Sequence, residues 1–275
     1  MESFGRRLRA AMDARGPLCV GVDPHPGLLA AWGLDDDAAG LDVFATTCVE
    51  ALAADLAVLK PQSAFFERHG SAGIAVLERL VVGARERGAL VILDAKRGDI
   101  GSTMQGYADA YLDRRSPLAV DAITVNPFLG FESLRPILDS AAAEGAGLFV
   151  LALTSNPEGS QVQRAKTPGG TVSGDILTAI AAENADQSVL GSVGAVVAAN
   201  LAILDEDLEI NGPLLAPGFG AQGGTVDDVR RIFGRVRHLV LPSTSRAVLR
   251  AGPDVAALRA SALRTVETVS AIVDS

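Results

Sequence analysis

Eight short runs rich in Val, Ile and Leu recur along the 275 residues and are separated by longer stretches rich in Ala, Leu, Arg and Glu. The runs span residues 18–23, 56–60, 90–96, 122–126, 148–154, 194–200, 214–218 and 238–243. Most of them are apolar throughout, which is typical of parallel strands covered by helices on both faces. Strand–helix alternation repeated eight times within ~250 residues predicts a (β/α)8 TIM barrel.

An open, doubly wound sheet is the alternative α/β architecture. It is disfavoured because the first strand is followed by Asp23-Pro24-His25-Pro26 rather than by a glycine-rich dinucleotide-binding turn. No linker rich in Pro, Gly and Ser divides the chain, so residues 1–275 are expected to form one domain. The loosest stretch follows the fifth strand and predicts a loop or insertion around residues 156–186.

A net charge of −9 narrows the range of partners. Proteins that bind nucleic acids or anionic membranes usually carry a basic surface, so neither partner is expected. The hydrophobic fraction of 48% allows a large core and excludes extended disorder. The most apolar run is far shorter than the roughly 20 residues needed to span a bilayer. With no recognisable signal peptide and only two cysteines, a cytoplasmic location is expected.

Polar residues stand at or just beyond the end of every predicted strand. In a barrel these ends meet at one rim, where the catalytic residues of this fold are found. A single polar residue often marks only the exit of the chain from the core, but here all eight strand ends carry polar residues. The set comprises Asp23, Lys60, Asp94, Lys96, Asn126, Thr154, Ser155, Asn200, Gln222, Ser243, Thr244, Ser245 and Arg246.

The third strand ends in the most informative stretch, Asp-Ala-Lys-Arg-Gly-Asp at residues 94–99. Side chains two apart on a strand share a face, so Asp94 and Lys96 should both point into the barrel mouth, with Lys60 beside Asp94. Charges on a partly desolvated rim are tolerated when their signs alternate, as they do in Lys–Asp–Lys. Asp99 lies beyond a glycine turn and is expected to face another space, such as a neighbouring subunit. The simpler interpretation of this spacing is a structural ion pair beside an exposed turn.

Two segments after the last two strands suggest an anion site. Residues 217–224 contain four glycines and Gln222, so backbone N–H groups and a side-chain amide can approach a ligand closely. Ser-Thr-Ser-Arg at residues 243–246 then opens a helix, whose first N–H groups also favour an anion. Loops in these two positions commonly bind phosphate in this fold, so the pair predicts a phosphate site.

No metal site is predicted. The three histidines, His25, His69 and His238, lie on separate segments without ligand spacing. No HExxH, EF-hand or Cys/His pattern occurs in the sequence. His25 follows the first strand, where it could contact a substrate.

Residues 94–101, read Asp-Ala-Lys-Arg-Gly-Asp-Ile-Gly, closely resemble the signature of the orotidine 5′-phosphate decarboxylase family, in particular its longer bacterial subfamily. Further blocks of that family are resembled, in the same order, by residues 21–24, 60–61, 124–127, 154–157 and 217–224. The Asp-x-Lys-x-x-Asp core alone is shared with barrel enzymes that act on sugar phosphates. The full set of blocks is strongly specific.

The resemblance implies a homodimer that converts orotidine 5′-phosphate to UMP and CO2 without a cofactor, in de novo pyrimidine biosynthesis. Lys96 would be the proton donor, Asp94 would lie against the substrate carboxylate, and Lys60 would bridge the ribose and the charged array. Asp99 and Thr103 would reach the partner's site. Asp23 would hold the ribose, Ser155 the pyrimidine, and Gln222 with Arg246 the phosphate. Further substrate contacts are expected from Ile100, Asn126, Pro217 and Ser245.

Two other functions stay open at this stage. A metal-dependent enzyme of the same superfamily could use the same core motif on a keto-sugar phosphate. A non-catalytic nucleotide-binding relative is disfavoured, because none of the four charged residues Lys60, Asp94, Lys96 and Asp99 is missing.

Overall fold

Eight parallel strands close into a barrel in the computed structural model, which describes residues 2–202, 204–218 and 226–273. The described residues contain ten strands in all, eight in the barrel and two in a separate hairpin. They are β1 Cys19–Val22, β2 Val58–Pro61, β3 Leu90–Arg97, β4 Ala122–Val125, β5 Gly147–Leu153, β6 Lys166–Thr167, β7 Gly170–Thr171, β8 Val193–Val197, β9 Leu214–Pro217 and β10 Val240–Thr244. Around the barrel their order is β1-β10-β9-β8-β5-β4-β3-β2, while β6 and β7 form a separate hairpin. Each of the eight predicted runs overlaps one barrel strand, so the predicted (β/α)8 barrel is confirmed.

Helices form the layer around this barrel. They are α1 Phe4–Arg15, α2 Pro26–Ala31, α3 Ala38–Leu52, α4 Ser63–Glu67, α5 Gly70–Glu86, α6 Gly101–Tyr111, α7 Arg135–Glu144, α8 Ser160–Gln163, α9 Val172–Glu183, α10 Val226–Phe233, α11 Arg246–Leu249 and α12 Val255–Val273. Short 3-10 turns cover Phe131–Leu134, Pro157–Gly159 and Gly234–Leu239. None of the helices within the described ranges is long and apolar enough to cross a bilayer.

The core explains why the strand sequences do not alternate. Every residue of β1, β2, β4 and β10 is buried, because one face looks into the barrel and the other is covered by helices. At the N-terminal end of the strands, α1 packs Phe4 edge-on against Phe149 with 6.0 Å between ring centroids. Arg7 of α1 also binds the buried Asp121 at 2.5 Å. The opposite end of the barrel carries the polar strand ends.

An irregularity in β3 shapes that polar end. Leu93 pairs with Ile123 of β4, but the next pairing joins Arg97 to Val125, so β3 bulges over the intervening residues. Lys96, within the bulge, has φ of +48°, a left-handed conformation that is strained for a non-glycine residue. Beyond it, a Cβ added at Gly98 would lie 2.3 Å from the carbonyl oxygen of Asn126, so this close approach requires glycine.

The segment after β5 has two parts. Residues 172–183 form α9, a helix of the outer layer that packs on β5 and β8. Residues 157–171 are additional to a simple strand–helix unit and comprise a 3-10 turn, α8 and the β6–β7 hairpin. This additional part lies next to the end of β5, at the same side of the barrel as the polar rim.

Candidate active site

A cavity of ≈ 180 Å³ opens at the C-terminal ends of the barrel strands. Residues from the ends of β1, β2, β3, β9 and β10 surround it. The lining residues are Gly21, Asp23, His25, Lys60, Gln62, Asp94, Pro217, Gly218, Ser243, Thr244, Ser245 and Arg246. The strand ends singled out from the sequence therefore meet at this cavity for five of the eight barrel strands.

Lys60 and Asp94 line the cavity, and Lys96, which is not part of the lining, joins them through Asp94 to form a charged array. The Lys60 Nζ atom lies 2.9 Å from Asp94 Oδ2, and the Lys96 Nζ atom lies 2.6 Å from Asp94 Oδ1. The side chains of Lys60 and Asp94 are 8% and 12% exposed, whereas that of Lys96 is 43% exposed. Lys60 is thus a buried partner of Asp94, and the Lys96 ammonium group stands where a bound molecule can reach it.

Thr124 of β4 completes the array from the neighbouring strand. Its hydroxyl group donates to Asp94 Oδ1 at 2.9 Å and accepts the backbone N–H of Lys96 at 2.9 Å. The side chain is 1% exposed, so these two bonds are shielded from water. One hydroxyl group therefore fixes both the Asp94 carboxylate and the strained backbone of Lys96.

The pKa values of the array follow from burial opposed by neighbouring charge. Burial alone raises the pKa of Asp94, but the charges of Lys60 and Lys96 outweigh it and hold that pKa well below its ordinary range. Burial likewise lowers the pKa of Lys60, while Asp94 and Asp23 raise it above its ordinary value. Asp94 is therefore a carboxylate and Lys60 an ammonium ion at neutral pH.

The other end of the cavity offers hydrogen-bonding groups that no described residue satisfies. The buried atoms Asp23 Oδ1, Thr244 Oγ1 and Ser245 Oγ have no hydrogen-bond partner in the described part of the chain. Such atoms are costly to leave unpaired, so they indicate a polar ligand. Arg246 adds a guanidinium group to the same lining. The helix that Arg246 opens has only four residues, so the hydroxyl groups of Thr244 and Ser245 and the Arg246 guanidinium group, rather than a long helix dipole, favour an anion. The Asp23 carboxylate oxygen can only accept hydrogen bonds.

Several predicted site residues lie away from this cavity. Ser155 lines a separate depression of ≈ 220 Å³ together with Thr154 and Asn200. Asn126 is exposed, and its Oδ1 atom accepts the backbone N–H of Phe128 at 3.1 Å. The structure therefore does not bring Ser155 and Asn126 together with the charged array.

The turn after β3 holds the residues predicted to reach a partner. Asp99 is half-buried, and its Oδ1 atom accepts the backbone N–H of Ile100 at 2.8 Å. Ile100 and Thr103 are exposed at the start of α6 and do not line the cavity. Gln222, predicted as a phosphate ligand, lies outside the described residues.

One contributor to the site was missed from the sequence, and a second was given no role of its own. Thr124 had an available signal, because it is the one polar residue inside the apolar run Ala-Ile-Thr-Val of the fourth strand. Thr244 was noted only as part of the segment before Arg246, yet its unpaired hydroxyl lies in the cavity lining. His25 lines the cavity as expected, with its ring 4.2 Å from that of Phe65.

No cluster of three or more His, Cys, Asp or Glu side chains suited to a metal ion occurs within the described ranges. Both oxygens of the Asp94 carboxylate are instead held by lysine ammonium groups.

Barrel enzymes that act on small phosphorylated molecules combine a charged reaction centre with a separate anion-binding end, and the fold and the cavity place this chain in that class. Within the class, the chain belongs to the orotidine 5′-phosphate decarboxylase / HUMPS family, whose model matches residues 16–261. The family resemblance inferred from the sequence motifs is confirmed.

Individual relatives cover nearly the whole chain. The chain is 60% identical to an orotidine 5′-phosphate decarboxylase of Streptomyces coelicolor, with 100% of both proteins covered. It is 64% identical to one of Nocardioides sp., covering 93% of this chain and 95% of the relative. Among solved structures, a Streptomyces avermitilis protein matches with a TM-score of 0.98 and 59% identity, covering 100% of this chain and 97% of the other. Leishmania donovani OMP decarboxylase matches with a TM-score of 0.75 and 27% identity, covering 99% of this chain and 100% of the other.

Proposed function

We propose that this chain converts orotidine 5′-phosphate to UMP and CO2, with Lys96 as the proton donor, in the synthesis of pyrimidine nucleotides in the cytoplasm. The observation that carries the proposal is the Lys60–Asp94–Lys96 array, which puts an accessible ammonium group 2.6 Å from a carboxylate that cannot be protonated at neutral pH. Family membership supplies the reaction, and the array supplies groups suited to it.

The cavity suits a nucleotide bound by its phosphate and ribose. Arg246, Ser245 and Thr244 provide donors for the phosphate at one end. Asp23, with a free carboxylate oxygen, accepts from ribose hydroxyl groups between that end and Lys60. A cavity of ≈ 180 Å³ is smaller than the roughly 300–1,000 Å³ of most ligand pockets, so the pyrimidine ring would lie in the open mouth beside Asp94 and Lys96.

The chemistry needs a fixed positive charge. The bond between the ring and the carboxylate carbon breaks, CO2 leaves, and the electron pair stays on a ring carbon that has no conjugated sink. The Lys96 ammonium group stabilises this developing carbanion and then transfers a proton to it, forming the C–H bond of UMP. Asp94 repels the substrate carboxylate, and this repulsion is relieved as CO2 departs.

The Lys60 charge keeps the array balanced during this sequence. When Lys96 loses its proton, Asp94 is left with one ammonium partner instead of two, and Lys60 remains charged because the nearby carboxylates raise its pKa. Remote contacts to the phosphate supply binding energy that orients the ring against Lys96.

A homodimer with Asp99 and Thr103 in the partner's site is part of the proposal. Its support is an apolar surface beside these residues: Ile100 is 61% exposed, Phe128 71% and Leu129 53%. Exposed apolar groups of this size favour association with another protein surface. The turn that carries Asp99 would then be placed at the interface between two copies.

The chain contains only three lysines, two in the charged array and Lys166 outside it. Lys166 can therefore serve as the control in a test of the reaction. Lys96→Ala is expected to abolish the loss of ultraviolet absorbance that follows decarboxylation of orotidine 5′-phosphate, while titration calorimetry still shows UMP binding. Lys166→Ala, in the exposed β6 strand, is the matched control and should keep full turnover. Turnover in Lys96→Ala would refute its role as proton donor. Turnover abolished by a chelator would favour the metal-dependent alternative.

The shared site can be tested by mixing inactive subunits. If Asp99 acts in the partner's site, Asp99→Ala mixed with an equal amount of Lys96→Ala forms heterodimers that contain one intact site. Random exchange then restores about a quarter of the wild-type activity per total subunit. If Asp99 acts within its own subunit, the mixture stays inactive.

A further inference from the structure

Arg97 follows Lys96 directly, but its side chain leaves the mouth and lies on the outer side of the barrel. One nitrogen of its guanidinium group forms an ion pair with Glu67 of α4 and donates to the Tyr111 hydroxyl of α6 at 3.2 Å. The guanidinium carbon lies 5.7 Å from the centre of the Tyr107 ring and 5.8 Å from that of Tyr111. These contacts hold the Arg97 side chain between α4 and α6.

The same residue restrains the backbone on both sides of Lys96. Its Nη1 atom donates to the carbonyl oxygen of Ala95 at 3.1 Å, and its own carbonyl oxygen accepts the backbone N–H of Asn126 at 2.8 Å. Lys96, between these two points, has the positive φ of +48°. Such a conformation costs roughly 1–2 kcal/mol and persists only where surrounding contacts hold it.

The Arg97–Glu67 ion pair also connects β3, which carries Lys96, to α4, the helix that follows the Lys60 strand. Glu67 ends α4, the helix that follows β2 and Lys60, and its carboxylate also accepts from the Ser63 hydroxyl at 2.5 Å. Lys60–Asp94 therefore links β2 and β3 inside the barrel mouth, and Glu67–Arg97 links the same region outside it. Burial lowers the pKa of Arg97, but Tyr111 and Glu67 outweigh this effect, so Arg97 stays charged.

We infer that Arg97 is a positioning residue for the decarboxylation, which holds the Lys96 ammonium group at the reacting carbon by anchoring the β3 bulge to α4 and α6. This inference rests on the proposed role of Lys96. The planar guanidinium group meets a carboxylate, a hydroxyl, a carbonyl and two aromatic rings at once, which a lysine cannot do.

The test compares turnover with product binding. Arg97→Met keeps most of the aliphatic stem and removes the ion pair. We expect kcat to fall about 10- to 100-fold, as for a catalytic group displaced by about 1 Å, while the Kd for UMP changes less than about threefold. Glu67→Gln should also lower kcat, and kcat of the double variant should be no lower than that of Arg97→Met. Arg97→Lys should recover only part of the loss.

The control is Arg79→Met, which removes an exposed Arg79–Asp42 ion pair between α5 and α3 and should leave kcat unchanged. If Arg97→Met is too unstable to purify, Arg97→Lys and Glu67→Gln provide the measurement. A folded Arg97 variant with wild-type kcat would overturn the inference, as would UMP affinity that falls in parallel with kcat. Turnover retained by Lys96→Ala would instead refute the proposed function, whatever the Arg97 variants show.

Discussion

Thr124→Val is the substitution that most directly tests how the charged array is held. Valine has nearly the shape of threonine, so the change removes one hydroxyl group without opening a cavity. The bond from this hydroxyl to the Asp94 carboxylate is worth about 1.5–3 kcal/mol, because the acceptor is charged. The backbone N–H of Lys96 also loses its acceptor, and an unsatisfied buried donor costs about 1–3 kcal/mol.

These values set the expected decrease in Tm and the expected decrease in kcat. Together they amount to about 2.5–6 kcal/mol, which lowers Tm by roughly 5–20 °C in a chain of this length. If the hydroxyl bond is needed mainly in the transition state, the loss of about 1.5–3 kcal/mol reduces kcat about 10- to 100-fold. UMP affinity should change little, because Thr124 does not line the end of the cavity that carries Arg246.

The assay is the same absorbance measurement, combined with thermal unfolding and UMP titration. Thr124→Ser is the matched control, since it keeps the hydroxyl group and removes only a methyl group. It should retain kcat within a few-fold of the wild type. Wild-type kcat in Thr124→Val, with the protein folded, would show that Thr124 does not hold the array in its active geometry.

Three further predictions concern stability. Gly98→Ala places a Cβ 2.3 Å from the Asn126 carbonyl oxygen, so it should lower the free energy of unfolding by about 1–3 kcal/mol in urea titrations. Asp94→Asn removes the carboxylate that contacts the buried Lys60 and should cost about 3–5 kcal/mol at pH 7. Because the folded pKa of Asp94 lies below its ordinary 3.8, the carboxylate stabilises fully above that pH, and the difference from wild type should shrink as the pH falls below it. Asp121→Ala, at the opposite end of the barrel, should cost about 3–5 kcal/mol without changing kcat.

Each stability prediction has its own check. Gly27→Ala introduces a Cβ with no atom within 4 Å, so it should leave Tm nearly unchanged. A constant difference between wild type and Asp94→Asn from pH 7 to pH 3 would contradict the depressed pKa of Asp94. A lower kcat in folded Asp121→Ala would show that the two ends of the barrel are coupled.

The eight barrel strands and the position of the rim could be predicted from the chain alone. Uniformly apolar runs occur because both faces of each strand are buried, so the signal lies within each run and needs no knowledge of its neighbours. Asp94 and Lys96 were expected on one side of the mouth, and they do contact each other. They do so across a bulge rather than through regular alternation of a strand. No local sequence pattern predicts this bulge.

The arrangement around Arg97 and Thr124 depended on pairings between distant segments. Thr124 is 30 residues from Asp94, and Glu67 is 30 residues from Arg97. Their contacts follow from which strands are neighbours in the closed barrel and from the register between β3 and β4. The placement of Ser155 in a separate depression likewise depends on the additional segment 157–171.

The amino-acid sequence by itself determined the barrel class, the charged residues of the third strand and the family, because these follow from local residue types and spacing. Only the tertiary structure decided which polar groups meet. Strand register and the β3 bulge fix which side chains approach each other, and hydrogen bonds form only at donor–acceptor distances of roughly 2.7–3.2 Å. The Lys–Asp–Lys array, the Thr124 hydroxyl that holds it and the Arg97–Glu67 pair behind it are therefore properties of the closed barrel.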